Sequence, residues 1–154
     1  MRILDILPTE DLVAPALSGT TKADVVGELA AHLAQHYPEI DAERLVNVLW
    51  ERERLGSTAI GDGIAIPHGK LPGLKGVLGA FGRHVDGVDF ESLDGNPTRL
   101  FFVLVAPEDS VGQHLKALAR VSRLLKDKGF REALLAAPDR AALFRLIAEE
   151  DEKL

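Results

Sequence analysis

The stretch Leu100-Phe101-Phe102-Val103-Leu104-Val105 decides the fold class of this chain. Its six consecutive residues are all apolar, and phenylalanine and valine are prominent among them. Such a run indicates a strand that is buried on both faces, and this kind of strand lies inside a sheet with helices packed on either side. We therefore expect an α/β protein with three layers, helix on sheet on helix.

The periodicities around this strand predict the order strand, two helices, three or more strands, three helices. Capping residues support the two early helices, because Thr21 with Asp24 resembles a capping box and Asp41 is a typical N-cap. The predicted elements are a strand over 12–17, helices over 22–36 and from Asp41 to Gly56, strands flanking 61–69, strands over 77–81 and 100–105, and helices from Ser110 onward that Gly129 and Pro138 interrupt.

The helix after Ser110 carries one apolar stripe at helical spacing. Its members are Val111, Leu115, Leu118, Ser122 and Leu125. Residues three and four positions apart share a helix face, so this stripe is expected to pack on the sheet.

Length and composition limit the classes of protein to consider. A chain of 154 residues has the usual size of one domain, so residues 1–154 are expected to form a single domain. The net charge of −6 is spread along the chain, which argues against nucleic acid as a partner. The absence of cysteine excludes disulfides and thiolate chemistry. No apolar run is long enough for membrane insertion, and we expect a soluble cytoplasmic protein.

A second stretch, Gly61-Asp62-Gly63-Ile64-Ala65-Ile66-Pro67-His68-Gly69-Lys70, is rich in glycine and holds one histidine. It does not match the Walker pattern, because five residues separate Gly63 from Gly69 and Leu71 follows the lysine. The dinucleotide fingerprint fails as well, since Ile66 stands where its third glycine belongs. A tight turn would explain the glycines but not the histidine.

His68 is expected to present a rigidly held imidazole. Pro67 restricts the backbone before it, and Gly69 permits close approach of another molecule to the ring. With an unperturbed pKa of about 6.5, a histidine is largely neutral at cellular pH and has one free ring lone pair. It can therefore act as a base, a metal ligand or a nucleophile, and a structural role is equally open.

Two further polar residues border apolar stripes. Arg52 continues the inward stripe of the second helix, where its guanidinium either reaches solvent or holds an anion. His114 lies in the first turn of the helix after Ser110, where a helix N-terminus favours the neutral ring. A neutral ring can donate one hydrogen bond to a substrate oxygen or to a neighbouring ring nitrogen. Alternatively, His114 is a structural residue at the boundary between two layers, with its hydrogen bonds made inside the protein.

The other three histidines receive no functional role from the sequence. His32 and His36 have the spacing of a helical metal pair, but no glutamate follows His32 as in zinc proteases, and both are expected to be exposed. His84 lies in a turn-rich tract and is assigned nothing.

The run Arg52-Glu53-Arg54-Leu55-Gly56-Ser57-Thr58-Ala59-Ile60-Gly61, continued by the glycine-rich stretch, resembles a known signature. It is similar to that of enzyme IIA of the fructose and mannitol class of the phosphoenolpyruvate-dependent phosphotransferase system, and most like the nitrogen-regulatory member. The resemblance covers essentially the whole chain, including Phe90–Pro97 and Leu100–Pro107.

The resemblance implies a three-layer α/β/α sandwich with a mixed sheet. It also implies that His68 accepts a phosphoryl group from an HPr-type histidine phosphocarrier, which makes the protein a transferase. Arg52 and His114 would line the same site, and no metal or other cofactor would be required.

The chemistry of phosphoryl transfer suggests further ligands for the phosphate. Charge spreads over three equatorial oxygens, so the site needs cations and hydrogen-bond donors. Backbone amides around Gly69 and the hydroxyl of Ser57 or Thr58 are expected to supply donors beside Arg52 and His114. Asp62 departs from the asparagine common in the family, so it either faces away from His68 or weakens phosphate affinity.

Three functions compete at this point. The first is a nitrogen-regulatory phosphocarrier whose phosphorylation state controls target proteins such as transporters or sensor kinases. The second is a sugar-specific enzyme IIA that passes phosphate to a IIB domain. The third is a binding module in which His68 is structural. The lack of a fused IIB or membrane segment in the sequence favours the first.

Overall fold

The run at 100–105 lies at the centre of a mixed, six-stranded sheet in the computed structural model, which describes residues 1–154. The strands are β1 Val13–Ala14, β2 Ala59–Gly61, β3 Ile64–Ala65, β4 His68–Leu71, β5 Leu78–Val88 and β6 Thr98–Pro107. The helices are α1 Ile3–Ile6, α2 Lys22–His36, α3 Ala42–Glu53, α4 Val111–Leu125, α5 Lys128–Ala136 and α6 Arg140–Glu152.

Strand β6 organises the sheet as the sequence predicts. It pairs antiparallel with β5 on one side and parallel with β3 and β4 on the other. Strand β1 then adds parallel to β5, and β2 adds antiparallel to β3. Every residue from Leu100 to Val105 is at most 1% exposed, which confirms a strand buried on both faces.

Helices cover both faces of this sheet. On one side α2 and α3 pack against each other and against β5 and β4. On the other side α4 packs on β6, and α1, α5 and α6 group around α4. The predicted α/β fold with three layers and a mixed sheet is confirmed. None of the helices has both the length and the apolar character needed to cross a bilayer.

The predicted caps of α2 and α3 are present. The Thr21 hydroxyl accepts the Asp24 N–H, and the Asp24 carboxylate accepts in return from the Thr21 N–H, as in a capping box. The Asp41 carboxylate accepts from the backbone N–H groups of Glu43 and Arg44. These local signals place both helix starts where the sequence predicts them.

The predicted orientation of α4 is wrong. Val111 and Leu115 are 55% and 60% exposed, so only Leu118 and Leu125 of the expected stripe pack against the core. The buried face consists of His114, Ala117, Val121, Leu124 and Leu125. Helix α4 carries two overlapping apolar stripes, and packing against β6 rather than periodicity selects between them.

Several element boundaries also differ from prediction. Helix α1 was not expected, β1 is only two residues long, and β5 extends to Val88 rather than ending at Phe81. Gly129 lies within the first turn of α5 and does not break the helix. The break falls before it, where the Asp127 carboxylate caps α5 by accepting the Phe130 N–H at 2.8 Å.

Three further histidines, His32, His36 and His84, contact other parts of the protein. His32 and His36 are half-buried, not exposed as expected, with ring centroids 4.9 Å apart. His84 is buried; its Nε2–H donates to the Gly19 carbonyl at 2.7 Å, and its Nδ1 accepts the Gly87 N–H at 2.9 Å. His84 thus ties the end of β5 to the loop before α2.

Candidate functional site

The glycine-rich stretch forms a β-hairpin followed by a separate strand. Asp62 and Gly63 have φ values of +57° and +75°, and Gly61 pairs with Ile64 across them. Positive φ at both central residues of a two-residue loop is the type I′ turn, for which Asp-Gly is a favoured sequence. The first glycines therefore serve the turn between β2 and β3 rather than a ligand.

Asp62 lies far from His68. In the register along β6, Ile64 pairs with Leu100 whereas His68 pairs with Leu104. Four residues of strand span about 13 Å, and the turn lies beyond Ile64. The exposed Asp62 carboxylate is therefore at the far end of the hairpin. Of the two alternatives for Asp62, the structure supports the one in which it faces away from His68.

His68 begins β4, and its two ring nitrogens have different partners. Nδ1 lies 2.7 Å from the carbonyl oxygen of Ile66, and Nε2 lies 3.2 Å from Nε of Arg52. A carbonyl can only accept and a guanidinium can only donate, so Nδ1 carries the hydrogen and Nε2 presents its lone pair. The backbone and Arg52 together select one tautomer of the neutral ring.

Gly69 allows α3 to pack closely on β4. A Cβ atom at this position would lie 2.3 Å from Cγ1 of Val48. The sequence suggested that this glycine leaves room for another molecule, but its missing side chain faces the neighbouring helix instead. The close packing brings Arg52, one helical turn after Val48, to the edge of the His68 ring.

Arg52 is half-buried and held at two points. Its Nε–H donates to Nε2 of His68, and its Nη1–H donates to the Gly56 carbonyl at 2.9 Å. Gly56 has φ +139°, a conformation that side chains rarely adopt. The guanidinium is therefore oriented by the loop that follows its own helix.

His114 approaches the same ring from the first turn of α4. The two histidine ring centroids are 5.3 Å apart with an interplanar angle of 51°. His114 is 6% exposed, and its buried Nδ1 has no hydrogen-bond partner. The structure thus brings together His68, Arg52 and His114, three of the residues singled out from the sequence.

The surroundings favour neutral rings for both histidines. Burial lowers the pKa of His68, the nearby Arg52 charge lowers it further, and the Ile66 carbonyl and Glu53 oppose this. Burial also lowers the pKa of His114, with smaller contributions from His68 and Lys70. A neutral His68 is the form with a free lone pair.

The hydroxyls of Ser57 and Thr58 already donate within the protein. Ser57 Oγ donates to the Phe90 carbonyl at 2.7 Å, and Thr58 Oγ1 donates to the Glu53 carboxylate. These two side chains hold the loop between α3 and β2 in place, and their hydrogens are not directed at His68.

Glu53 is the site residue that sequence reasoning missed. It is 5% exposed and its charge acts on His68. The signal was present, because Leu45, Leu49 and Glu53 follow one another at four-residue spacing on the buried face of α3. A carboxylate at such an inward position requires a partner, and here Lys22 provides one.

A cleft of about 500 Å³ opens between α3 and β4, beside Arg52. Its walls carry three cations, Arg44, Arg52 and Lys70, and two carboxylates, Glu51 and Glu108. This small excess of positive charge favours an anionic group at the surface next to His68.

Stability should fall as the protein is acidified through the histidine range. His32, His68 and His114 all have pKa values below the ordinary 6.5, chiefly because burial penalises the charged ring. The unfolded chain therefore binds more protons than the folded one as the pH drops below about 6.5. Urea unfolding near pH 7.5 and near pH 5.5 should give a lower free energy of unfolding at the lower pH.

His32→Gln provides the control for that measurement. It removes one of the three depressed groups at a distance from the His68 ring, so the loss of stability between the two pH values should become smaller. A free energy of unfolding that rises on acidification would contradict the assignment of three neutral rings.

The fold and the site define a phosphotransfer protein of the enzyme IIA type, as comparison with known proteins shows. The family model "Phosphoenolpyruvate-dependent sugar phosphotransferase system, EIIA 2" matches residues 7–150. The chain belongs to this family, whose members are phosphotransfer components.

Individual relatives locate the chain within the family. It is 44% identical over 147 residues to a nitrogen regulatory protein of Bradyrhizobium diazoefficiens, covering 92% of this chain and 95% of that protein. It is 36% identical over 152 residues to a fructose-specific EIIABC component of Bacillus subtilis, covering 99% of this chain but 24% of that protein. The crystal structure of nitrogen regulatory protein IIA-Ntr from Neisseria meningitidis superimposes with a TM-score of 0.84 at 29% identity, covering 90% and 94% of the two chains. The chain most resembles the nitrogen-regulatory members.

Proposed function

We propose that this protein is a cytoplasmic phosphohistidine carrier of a nitrogen-regulatory relay. Nε2 of His68 accepts a phosphoryl group from an HPr-type histidine phosphocarrier, and the phosphorylation state regulates target proteins such as transporters or sensor kinases. The supporting observation is the tautomer of His68, whose Nδ1–H is held by the Ile66 carbonyl while the Nε2 lone pair faces Arg52.

The transfer needs no general base. The nitrogen–phosphorus bond of the donor breaks, its electron pair returns to the donor ring, and the Nε2 lone pair forms the new bond in line. No proton has to leave Nε2, because the proton is on Nδ1. The positive charge that develops on the His68 ring is stabilised by the hydrogen bond from Nδ1–H to Ile66.

The neighbours of His68 have separate roles in this proposal. The guanidinium of Arg52 moves its hydrogen bond from Nε2 to a phosphoryl oxygen and neutralises charge there. His114, as a neutral ring, donates to a second oxygen, and a backbone amide around Gly69 supplies a further donor. Ser57 and Thr58 contribute by holding the loop, since their hydroxyl hydrogens are engaged elsewhere.

Replacing Arg52 by alanine should slow phosphoryl uptake on the order of 100-fold, the usual cost of removing one preorganised charge-stabilising donor. Rapid-quench measurement of the first-order rate at saturating donor tests this. Arg54→Ala, a change two residues away at an exposed position, is the matched control and should leave the rate unchanged. Equal rates for the two variants would remove Arg52 from the mechanism.

The proposal as a whole is tested by phosphorylation in a reconstituted relay. Incubation with phosphoenolpyruvate, enzyme I and an HPr-type carrier should add one acid-labile phosphoryl group by intact mass. Coupling between phosphorus and a ¹⁵N-labelled imidazole should assign it to Nε2 of His68. No mass gain with a donor that phosphorylates another enzyme IIA would overturn the proposal.

The alternative is a sugar-specific enzyme IIA, which the 36% identity to the fructose-specific component supports. That role requires rapid onward transfer to a IIB domain. Transfer from the phosphorylated protein to purified fructose and mannitol IIB domains distinguishes the two functions. Transfer as fast as uptake from the carrier would favour the sugar-specific role.

A further inference from the structure

We propose that Glu53 is a positioning residue that aims both Arg52 and His68 through the loop Arg54–Thr58. This inference rests on the proposed phosphoryl transfer for its kinetic consequence, although its structural consequence is measurable without any donor. The Glu53 carboxylate binds Thr58 and Lys22, not the reacting nitrogen of His68.

The Glu53 carboxylate is buried and fully engaged. Its side chain is 1% exposed; Oε1 accepts the Thr58 N–H at 3.1 Å and contacts Lys22 Nζ at 3.0 Å, and Oε2 accepts the Thr58 hydroxyl. Moving this carboxylate would leave the Thr58 donors buried without an acceptor and would take the buried counter-charge from the Lys22 ammonium, which is strongly unfavourable. The carboxylate therefore pins Thr58, five residues later, against the end of α3.

The pinned loop leads to the His68 ring by two hydrogen bonds. The Thr58 carbonyl accepts the Ile66 N–H at 3.1 Å, and the Ile66 carbonyl accepts Nδ1–H of His68 at 2.7 Å. The oxygen that selects the reactive tautomer is thus positioned by a segment that Thr58 holds.

The same loop also sets the guanidinium of Arg52. The Gly56 N–H donates to the Glu53 carbonyl at 3.0 Å, and the Gly56 carbonyl accepts Nη1–H of Arg52 at 2.9 Å. The Ser57 hydroxyl anchors the other side of the loop on the Phe90 carbonyl. Both halves of the site therefore depend on one short connection.

Lys22 makes this a positioning role rather than a proton-accepting one. Its ammonium lies between Glu53 and Glu91 and 4.9 Å from the Phe90 ring centroid. The charge of Glu53 is therefore balanced by Lys22, and its oxygens are occupied by Lys22 and Thr58. No oxygen of Glu53 is hydrogen-bonded to His68, so Glu53 influences the orientation of the ring through the loop, apart from the electrostatic effect of its charge on the His68 pKa.

Thr58→Val tests the inference, because it removes the hydroxyl that binds Glu53 and keeps the shape of the side chain. Thr98→Val is the matched control: Thr98 is 0% exposed and its hydroxyl has no hydrogen-bond partner. Two quantities are measured for each, the ¹⁵N shifts that report the His68 tautomer and the kinetics of phosphoryl uptake from the HPr-type carrier.

Thr58→Val should shift His68 away from a pure Nδ1–H tautomer and lower the first-order transfer rate about 10-fold to 100-fold, as small misplacements of reacting groups do. The donor concentration for half-maximal rate should stay unchanged. Thr58→Ser should restore both quantities, and Thr98→Val should match the unmodified protein. A Thr58→Val protein with the same tautomer and the same rate as Thr98→Val would overturn the inference.

A second variant covers the case in which Thr58→Val does not fold. Ser57→Ala frees the same loop from Phe90 and should produce the same tautomer shift; an unchanged tautomer of His68 would overturn the inference.

The tautomer of His68 also separates this inference from the proposed function. If the unmodified protein takes up no phosphoryl group, the function fails, while the effect of the loop on His68 still shows in the ¹⁵N shifts.

Discussion

Replacing His68 by alanine is expected to abolish uptake of the phosphoryl group from an HPr-type carrier. His68 is the histidine whose Nε2 lone pair is directed at an arginine, and Arg52 and His114 are arranged around it. Without that nitrogen there is no acceptor for the new bond, so the loss should be complete rather than partial. Intact-mass measurement after incubation with phosphoenolpyruvate, enzyme I and the carrier detects it.

His36→Ala is the matched control for this prediction. His36 is half-buried like His68, but its Nδ1–H donates to a carbonyl within its own helix, at His32. This variant should take up one phosphoryl group at the normal rate. An acid-labile phosphoryl group on the His68→Ala protein would mean that another residue, with His114 the nearest ring, is an acceptor.

Replacing Asp151 by alanine should lower the free energy of unfolding by about 3–5 kcal/mol, the usual effect of removing one member of a buried ion pair. Its carboxylate is 0% exposed and accepts the N–H groups of Ile3 and Leu4 at 3.0 and 3.4 Å. It also accepts two hydrogen bonds from Arg120 at 2.8 and 3.1 Å. The variant leaves the start of α1 without these acceptors, and the Arg120 guanidinium keeps only its hydrogen bond to the Asp151 backbone carbonyl at 2.8 Å.

Chemical denaturation measures this loss, and Glu152→Ala is the control. Glu152 is the next residue and is exposed, so its replacement should change the free energy of unfolding by no more than about 0.5 kcal/mol. At temperatures where Asp151→Ala remains folded, it should take up phosphate normally, because Asp151 lies away from His68. A loss of less than about 1 kcal/mol would contradict this prediction. It would show that the attraction between Asp151 and Arg120 barely exceeds the cost of removing both charges from water.

The layered fold was predictable because its signals are local. A six-residue apolar run can only be satisfied by burial on both faces, and the caps Thr21 and Asp41 act within one turn of their helices. The orientation of α4 was not predictable, because two of its faces are apolar and only contact with β6 distinguishes them. Helix α1 is too short for a periodicity and depends on Asp151, more than 140 residues away.

The site was predictable as a set of residues but not as an arrangement. Glycine, proline and histidine at 67–69 indicate a rigid imidazole, and the family resemblance supplies its chemistry. The sequence does not show that the Ser57 hydroxyl donates a hydrogen bond to the Phe90 carbonyl, or that the Thr58 hydroxyl donates one to the Glu53 carboxylate. Those partners are chosen by the folding of separate segments against each other.

By itself, then, the sequence determined the α/β class, the starts of α2 and α3, and the residues of the reactive motif. These follow from hydrophobic periodicity and from hydrogen bonds between residues close in the chain. Only the tertiary structure decided which nitrogen of His68 is free, that Asp62 lies away from it, and that Gly69 faces Val48. Each of these depends on the register of β3 and β4 on β6 or on the packing of α3 on β4, and such contacts between distant segments leave no local periodicity in the sequence.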